Sequence, residues 1–488
     1  MEESSQALLE DASKAANIIL EHVERGERIW VESHLDADGI AAASIIGKAL
    51  YRLESNFRIR IERWFDEKII DELASQNPGL IIFTDMGSGY LDVLEKKLFG
   101  RDLIILDHHQ PVTEKISESF QHVNPHLRGI DGSRDLSGAG VTYLVAKKLA
   151  ESNIDLAYLS VIGALGDIQD KYEQRSLGGV NKLIVDDAVS TGRLRIETDL
   201  LFFGRETRPI HKALAYSTNP FIPGISGQED KSLALITGLN IKIKNEEKWR
   251  ALRDLSQDEK KRLFSALADI LASKGFKSDV AMKLIGTVYT LKREEPWTPL
   301  RDAREFALLL NATGRMGKPS LGVAICMGDR GMMLEQANTA LEEYRRNIMK
   351  YLNWLNENPE RIEELDSVYV VHGENAIDEK MISAISTILS TSLPKPEKPV
   401  IGYSAIPDER IIKVSARASE LLIREGLNLG EIIRVATDKN MGRGGGHDIA
   451  AGGQIPYERK KEFLRMVNEL VRESLERKRL GGRDRSRI

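Results

Sequence analysis

Three short apolar runs, each followed by acidic or imidazole side chains, constrain the fold of this 488-residue chain most strongly. The runs are IWV at 29–31, LIIFT at 80–84 and LIIL at 103–106, and helical patterns separate them. Strand, polar turn and helix in this alternation are typical of a parallel α/β sheet. In such sheets, ligands collect beyond the carboxyl ends of the strands. We therefore expect a ligand site where these runs end.

The polar side chains after these runs are of the types that bind metal ions. His34, Asp36 and Asp38 alternate in HLDADG, so an extended backbone would bring all three to one face. Acids and imidazoles also follow the later apolar segments, at Asp85, Asp107, His108, His109 and Asp167. Carboxylates suit magnesium or manganese, and imidazole shifts the preference towards later transition metals. These ligands suffice for two ions with a bridging carboxylate, an arrangement that hydrolyses phosphate esters.

Composition argues against several other classes of protein. The net charge of −5 is not that of a uniformly basic nucleic-acid binder, so contacts with phosphate must come from a local surface. The single cysteine, Cys326, rules out an intramolecular disulfide and suits a reducing cytoplasm. No apolar run approaches the roughly 18 residues that span a bilayer, and the acidic N-terminus lacks the layout of a signal peptide. We expect a cytoplasmic protein with no membrane partner.

Changes in composition along the chain predict several domains. Residues 217–230 are rich in Pro, Gly and Ser and mark a boundary, and residues 333–358 have the pattern of one long helix. We expect an α/β domain in two parts with a helical insertion between them, a connector helix, a smaller α/β accessory domain and a basic, disordered tail. The corresponding residues are 1–225 with 301–332, then 226–300, 333–360, 361–475 and 476–488.

Four motifs, HLDADG, TDMG, DHH and GALGD, resemble those of the DHH phosphoesterase superfamily and occur in the same order. The segment NATGR at 311–315 is similar to the NA-x-GR motif of RecJ-type nucleases, and VSAR at 414–417 to their S-x-R motif. Residues 443–452 resemble the Gly-rich loop of the accessory domain that follows DHH domains. The resemblance covers nearly the whole chain and implies a parallel-sheet DHH domain followed by an accessory domain.

The resemblance implies two divalent ions, manganese or alternatively magnesium, bridged by Asp85. The ligands of the first ion would be His34, Asp36 and Asp85. The ligands of the second would be Asp38, Asp85, His108 and Asp167.

The resemblance also implies roles for the groups around these ions. His109 would face the scissile phosphate and stabilise its charge or assist the leaving group. Asp107 would lie behind it and orient an imidazole. Asp170 is an alternative to Asp167, because both acids lie within one helical turn, and the family spacing favours Asp167.

Further residues are expected from the resemblance to contact nucleic acid. Asn311 and Arg315 would bind the scissile or a neighbouring phosphate, the arginine through bidentate contacts. Ser415 and Arg417 would hold a phosphate at a strand end, such as a 5′-phosphate. The Gly-rich loop would approach phosphate or sugar through backbone N–H groups and an imidazole, at Gly444, Gly445, Gly446 and His447.

The insertion distinguishes this chain from bacterial RecJ, which carries an OB-type barrel that grips single-stranded DNA. We find no β-rich stretch that could form such a barrel. The arrangement resembles archaeal RecJ-like proteins known as GINS-associated nucleases, which are related to the Cdc subunit of the eukaryotic replicative helicase. The resemblance implies the GINS complex as a partner, and our hypothesis is that residues 226–300 form its docking surface.

The leading functional prediction is a manganese- or magnesium-dependent exonuclease that shortens single-stranded DNA, or RNA, to mononucleotides in replication or repair. The 5′→3′ direction is inherited from the resemblance to RecJ. An alternative is a phosphodiesterase for short oligoribonucleotides or cyclic dinucleotides, and a third is a replication scaffold that has lost catalysis. The intact metal ligands argue against the scaffold. The motifs do not separate DNA from RNA, because contacts with the 2′-hydroxyl cannot be read from them.

Overall fold

The structure is a computed structural model of the chain. It describes residues 2–63, 67–113, 120–217, 220, 222–393 and 397–484. The chain divides into two compact units, residues Met1–Leu341 and Glu342–Ile488. No helix within the described ranges is both long enough and apolar enough to cross a membrane.

A parallel sheet forms the first part of the first unit and confirms the predicted fold class. The strands pair in the order β2-β1-β3-β4-β5. Their bounds are β1 (Ile29–His34), β2 (Phe57–Glu62), β3 (Leu80–Thr84), β4 (Leu103–Leu106) and β5 (Gln121–Val123). Strands β3 and β4 are buried along their whole length, as expected for a parallel sheet covered on both faces.

Helices cover this sheet. They are α1 (Glu2–Glu24), α2 (Ala37–Arg52), α3 (Glu67–Gln76), α4 (Leu91–Lys97), α5 (Gly138–Leu149), α6 (Ala157–Gly166) and α7 (Gly179–Ser190). Helices α3 and α4 share a hydrophobic cluster with alternate strand residues such as Trp30, Phe83 and Ile105. Helix α2 packs against β1, α5 and α6, so its first turn lies where the strands β1 and β3 end.

The insertion has its own hydrophobic core. Strands β6 (Leu194–Leu200) and β9 (Ile285–Leu291) pair antiparallel at its two ends. Between them lie α8 (Ile210–Ala215), α9 (Glu229–Gly238), β7 (Lys244–Asn245), β8 (Lys248–Trp249), α10 (Gln257–Ser273) and α11 (Ser278–Met282). The core extends from Leu200 to Leu284 and therefore begins before the predicted boundary at residue 226, because Phe202 and Ile210 pack into it. Residues 218, 219 and 221 of the Pro/Gly/Ser-rich boundary segment lie outside the described residues.

Three helices complete the first unit and lead into the second: α12 (Ala303–Arg315), α13 (Pro319–Met327) and α14 (Met332–Glu357). Helix α12 packs against α6 and α2, and α13 packs against α2. Cys326 on α13 is fully buried. The long helix expected over residues 333–358 is present as α14, and the division between the units falls inside it.

The second unit is a mixed sheet with helices packed against it. Its strands, in the order β10-β11-β12-β13-β15-β14, are β10 (Ile362–Glu364), β11 (Tyr369–Glu374), β12 (Val400–Ile406), β13 (Ile411–Arg417), β14 (Arg443–Gly446) and β15 (Ala450–Pro456). Its helices are α15 (Ile382–Ser392), α16 (Glu420–Arg424), α17 (Leu429–Lys439) and α18 (Lys460–Asp484). Helix α18 continues to Asp484, so the expected disordered tail is helical over 476–484, and residues 485–488 lie outside the described residues.

Candidate metal centre

The segment HLDADG is a strand-to-helix turn. Strand β1 ends at His34 and α2 begins at Ala37. Asp36 caps the helix, and its Oδ1 accepts a hydrogen bond from the Gly39 N–H at 3.0 Å. Asp38 therefore lies in the first helical turn, and the expected extended backbone is wrong. The three side chains come together because the chain changes direction at the cap.

The first group of candidate ligands is His34, Asp36 and Asp85, whose donor atoms all lie within 4.8 Å of one another. The distance from His34 Nδ1 to Asp36 Oδ2 is 2.9 Å, and from His34 Nδ1 to Asp85 Oδ2 it is 3.8 Å. Asp85 directly follows β3, the strand that pairs with β1, which explains the proximity.

The second group is Asp38, His108 and Asp167, and Asp85 also reaches it. His108 Nε2 lies 3.2 Å from Asp85 Oδ1, 3.6 Å from Asp38 Oδ2 and 3.4 Å from Asp167 Oδ2. Asp85 thus directs one carboxylate oxygen towards each group. The structure brings together all six side chains predicted as metal ligands.

Asp85 is the most constrained acid of the cluster. Its side chain is 1% exposed, and neither carboxylate oxygen has a hydrogen-bond partner among the described residues. Burial raises the pKa of Asp85 well above its usual value, and the Asp36 and Asp38 carboxylates raise it further. A buried carboxyl group without hydrogen bonds is costly unless a cation compensates it. The donor set therefore fits divalent metal ions.

Asp38 receives backbone support from the start of α5. Its Oδ2 accepts from the Gly138 N–H at 2.7 Å, and its Oδ1 from the Ala139 N–H at 3.0 Å. Burial raises the pKa of Asp38 to about 6, and the Asp167 carboxylate adds to the rise. A side chain at position 138 would collide with Asp85, and Gly138 avoids this because it has no Cβ. A helix N-terminus thus packs directly onto the carboxylate cluster.

The two adjacent imidazoles have different partners. His108 Nδ1 donates to the Gly132 carbonyl oxygen at 2.6 Å, which leaves Nε2 for the carboxylates. His109 Nδ1 donates to Asp107 Oδ1 at 2.8 Å, and Asp107 Oδ2 accepts from the Ser88 N–H. Burial, the largest influence, lowers the pKa of His109, but the charge and hydrogen bond of Asp107 together with the Asp85 carboxylate outweigh it, and the pKa rises to about 9. The structure thus places Asp107 against the His109 imidazole.

Asp107 and His109 also lie close to the cluster itself. Donor atoms of Asp85, Asp107, His108 and His109 all lie within 4.8 Å of one another. The oxygens of Asp107 already accept N–H groups, whereas those of Asp85 do not. Asp85 is therefore the acid of this group whose two oxygens remain available to both sets of candidate ligands.

The structure separates Asp167 from its alternative, Asp170. Asp170 Oδ2 accepts from Arg304 Nη2 at 2.9 Å and pairs with Arg175 Nη2 at 2.9 Å. Its charge is therefore compensated by two guanidinium groups, whereas Asp167 faces His108.

Helix α12 supports the HLDADG turn from behind. Asn311 Oδ1 accepts a hydrogen bond from the Ala37 N–H at 2.9 Å, between the two aspartates of the turn. A Cβ on Gly314 would collide with the Leu35 carbonyl oxygen, so only glycine permits this approach. Burial alone would raise the pKa of Asp36, but the His34 imidazole, the Gly39 N–H and, least of these, the charge of Arg315 lower it below its usual value. With its amide oxygen bound to the Ala37 N–H, Asn311 turns its amide nitrogen, the only donor that a phosphate oxygen could use, to the other side of the amide group.

The remaining predicted residues lie in the second unit. Arg417 on β13 donates from Nε to Thr387 Oγ1 at 2.9 Å and from Nη1 to the Ala416 carbonyl oxygen. The Ser415 hydroxyl is buried and has no hydrogen-bond partner within the described ranges. Gly444, Gly445 and Gly446 form strand β14, paired with β15, so the expected loop is an edge strand. His447 follows this strand.

Sequence reasoning missed the residues that hold His108. Gly132 contributes only a backbone oxygen, and Gln169 donates to the same oxygen at 2.9 Å. Asn181 in turn donates to Gln169 Oε1 at 2.7 Å. A carbonyl oxygen carries no side-chain signal, although Gln169 lies next to the fourth motif and could have been considered.

Three family models match successive parts of the chain. The model of the DHH family, N-terminal domain, matches residues 28–164. The DHH-CID domain matches residues 202–285, which coincide with the separate core of the insertion. The DHHA1 domain matches residues 366–473 in the second unit.

Two relatives show how far the likeness extends. An uncharacterized protein of Methanocaldococcus jannaschii is 33% identical over 454 residues, covering 92% of this chain and 94% of that protein. The single-stranded-DNA-specific exonuclease RecJ of Bacillus subtilis is 27% identical over 173 residues, which cover 34% of this chain and 22% of that protein. The match to the nuclease is therefore confined to a part of each chain.

Solved structures share the fold. RecJ from Thermus thermophilus in complex with Mn²⁺ aligns with a TM-score of 0.57 and 18% identity, covering 95% of this chain and 55% of that chain. CDC45 from Entamoeba histolytica aligns with a TM-score of 0.62 and 11% identity, covering 94% and 99%. With the three domain matches and the 33% identical relative, these findings define the family: the chain is a RecJ-like member of the DHH superfamily.

Proposed function

We propose that the protein is a divalent-metal-dependent phosphodiesterase that hydrolyses single-stranded nucleic acid from an end and releases mononucleotides. The observation that supports this most is the position of Asp85, buried without hydrogen bonds between two groups of acids and imidazoles. Such a pair of sites with a shared carboxylate suits hydrolysis of phosphodiester bonds.

The first ion would be held by His34, Asp36 and Asp85, and the second by Asp38, Asp85, His108 and Asp167. When bound, the two ions neutralise phosphate charge and lower the pKa of a water molecule. The imidazole in each group favours manganese over magnesium. The RecJ of Thermus thermophilus was solved with either metal.

His109 would act on the phosphate. Its Nδ1 donates to Asp107 Oδ1, and the carboxylate favours the protonated ring. In that form the second ring nitrogen would donate a charge-assisted hydrogen bond to a phosphate oxygen. Asp107 fixes the ring orientation, because it also accepts the backbone N–H groups of Ser88 and His108.

Single-stranded DNA is our preferred substrate, because the RecJ of Bacillus subtilis is named as a nuclease specific for it. The 5′→3′ direction and a role in replication or repair belong to the same proposal. Asn311 and Arg315, with Ser415, Arg417 and the segment 444–447, would contact the nucleic acid. Short oligoribonucleotides or cyclic dinucleotides are the alternative substrates.

A second candidate function is a scaffold in the replication machinery. The likeness to CDC45, over 94% of this chain and 99% of that one, favours it. In that case the GINS complex would be the partner and the insertion its docking surface. A variant in which a short linker replaces residues 202–285 tests this, because retained binding of GINS would exclude the insertion as the docking surface.

The test of the leading proposal uses purified protein, Mn²⁺ and single-stranded DNA and RNA of matched sequence, labelled at either end. We expect early release of labelled mononucleotide from the 5′ end of DNA. Asp85→Ala should abolish release while the far-UV circular dichroism spectrum stays unchanged. Release from the 3′ end, or a preference for RNA, would overturn the direction or the substrate. The absence of cleavage with Mn²⁺ or Mg²⁺ would favour the scaffold.

A further inference from the structure

Helix α6 closes at the metal centre with a tight turn. Its last residue is Gly166, and Asp167 follows as the C-cap. The Ile168 N–H donates to the Leu165 carbonyl oxygen at 3.2 Å, and the Gln169 N–H donates to that of Ala164 at 3.0 Å. This pair of bonds is the Schellman motif, in which the residue after the C-cap takes a positive φ. Ile168 occupies that position with φ +55°.

Isoleucine is disfavoured in this turn. A positive φ is normally left to glycine, because a Cβ crowds the backbone, and for a β-branched residue it is an outlier. Other helices of the chain close in the same way with glycine, at Gly26, Gly275 and Gly317, or with a side chain that is not β-branched, at Glu54, Asn240 and Met441. Among the residues that the structure describes, Ile168 is the only β-branched one with a positive φ.

Packing does not explain the choice either. Ile168 is 53% exposed, so its side chain is not part of a core. In the Schellman motif the usual apolar contact is made by the following residue with the last turn of the helix, here Gln169 with Ala164. Core packing therefore gives no reason for an exposed β-branched side chain in this unfavourable backbone conformation.

We propose that Ile168 supplies an apolar contact for the base of the nucleotide whose phosphate lies at the metal centre. This inference rests on the proposed function. The Cα atom of Ile168 is about 3.8 Å from that of Asp167, because the two residues are consecutive. The carboxylate of Asp167 lies 3.4 Å from His108 Nε2, within the cluster. Unfavourable local geometry persists where function requires it.

The chemistry of the substrate supports this assignment. The candidate metal ligands are carboxylates and imidazoles whose donor atoms face one another, so they would act on the phosphate and leave contact with the base to other side chains. The bases of a single strand are unstacked, and each has an apolar face that an apolar side chain can cover without reading the sequence. A contact of this kind suits an enzyme that removes any nucleotide in turn.

The test compares Ile168→Gly with a matched control, Glu54→Gly. Glu54 occupies the same position of the same turn after α2, with φ +53° and bonds to the Tyr51 and Leu50 carbonyl oxygens through its own N–H and that of Ser55. Because α2 has 16 residues, this turn lies about 24 Å from the metal end of the helix. Relief of the backbone conformation should raise the melting temperature of both variants by about 1–3 °C.

Only Ile168→Gly should lose affinity for nucleic acid. The probe is a fluorescent single-stranded oligonucleotide with phosphorothioate terminal linkages, followed by anisotropy with Mn²⁺. We expect Ile168→Gly to bind about five- to tenfold more weakly than the wild type, from the lost apolar contact. An otherwise identical probe with abasic residues at both ends should bind with equal affinity to the wild type and to Ile168→Gly. Ile168→Val, which keeps a branched apolar side chain, should bind both probes as the wild type does.

Other results would overturn the inference. A lower melting temperature of Ile168→Gly would assign the residue a structural role. An equal loss of affinity for normal and abasic probes would show that Ile168 affects binding of the phosphate and not of the base. Unchanged affinity for both probes would show that Ile168 does not contact nucleic acid and would favour a contact with a protein partner. A wild type that fails to bind the normal probe would also overturn it. Failure to hydrolyse an unmodified strand, with the anisotropy results as expected, would refute the proposed function alone, because the anisotropy comparison does not depend on turnover.

Discussion

Asp85 is the residue on which the two halves of the metal centre meet. Its carboxyl group is buried beside the Asp36 and Asp38 carboxylates. We expect Asp85→Asn to leave unchanged or raise the melting temperature without metal, because it removes a buried acid from among like charges. The rise in melting temperature that Mn²⁺ causes in the wild type should be absent in Asp85→Asn. The kcat for hydrolysis should fall by at least about 10³-fold. Differential scanning fluorimetry with and without MnCl₂ measures both thermal effects.

Asp170→Asn is the matched control for this prediction. Its carboxylate compensates Arg175 and Arg304 and does not face the cluster. The melting temperature should therefore fall, because two guanidinium groups lose their partner, while the Mn²⁺-induced increase persists. If the Mn²⁺-induced rise in melting temperature were lost in Asp170→Asn and kept in Asp85→Asn, the proposal that Asp85 is a metal ligand and Asp170 is not would be refuted.

Much of the candidate site could be predicted at this scale, because each ligand follows an apolar strand or helix in the sequence. The family spacing already favoured Asp167 over Asp170, but the physical reason needed the structure, since it is the pairing of Asp170 with Arg304, which is distant in sequence. The support of His108 by Gly132 could not be predicted, because a backbone oxygen has no sequence signature.

Helix α12 sets the position of the HLDADG turn. Gly314→Ala should push the helix away from Leu35, because the added Cβ would collide with its carbonyl oxygen. We expect the melting temperature to fall by several degrees and the apparent affinity for Mn²⁺ to fall about tenfold. The Mn²⁺ dependence of the melting temperature measures the affinity.

Gly238→Ala provides the comparison. Gly238 is the last residue of α9, and a Cβ there would meet nothing within 4 Å. Alanine should therefore stabilise the helix by up to about 1 kcal/mol without any change in Mn²⁺ affinity. Equal effects of the two substitutions would show that the contact with Leu35 is unimportant.

The start of α10 gives the insertion a defined pH dependence. Both oxygens of Glu259 accept from Arg250, at 2.8 and 2.7 Å, and Ser256 completes a capping box. The hydrogen bonds from Arg250 lower the pKa of Glu259 to about 2 from a usual 4.5. Because the folded pKa is the lower one, this stabilisation is present above about pH 4.5 and is lost as the pH falls towards 2.

Glu259→Gln should remove this contribution. We expect it to lower the free energy of unfolding of the insertion by about 1–3 kcal/mol at pH 6. The difference from the wild type should shrink as the pH falls from 4.5 towards 2, and urea unfolding at several pH values measures it. A difference that is independent of pH would contradict the role of the Glu259 charge.

Among the elements, those with strong local patterns were predictable and those defined by long-range packing were not. The buried runs of β3 and β4 and the long helix α14 follow from hydrophobic pattern alone. The beginning of the insertion near Leu200 depends on which residues enter its core, so it was predicted too late. The Gly-rich segment forms β14 because β15 pairs with it, and glycine content alone indicated a loop.

For the whole molecule, the division into two units predicts separable properties. All six candidate ligands lie in residues Met1–Leu341, whereas Ser415 and Arg417 lie in the second unit. A fragment of residues 1–341 should therefore keep the Mn²⁺-induced rise in melting temperature while losing most of its affinity for single-stranded DNA. The comparison is full-length protein carrying Arg417→Ala. We expect this variant to have a weaker preference for single-stranded DNA with a phosphorylated end. A fragment that binds DNA like the full chain would contradict this division of roles.

Cys326 gives the native protein a built-in reporter of local unfolding. It is the only cysteine in the sequence, it is fully buried on α13, and burial raises its pKa to about 12. A thiol reagent can therefore reach it only when α13 separates from α2, the helix whose first turn carries Asp38. The labelling rate then reports the opening free energy at that contact. Mn²⁺ should slow the labelling in proportion to its occupancy, so metal binding can be followed without substrate or engineered probes.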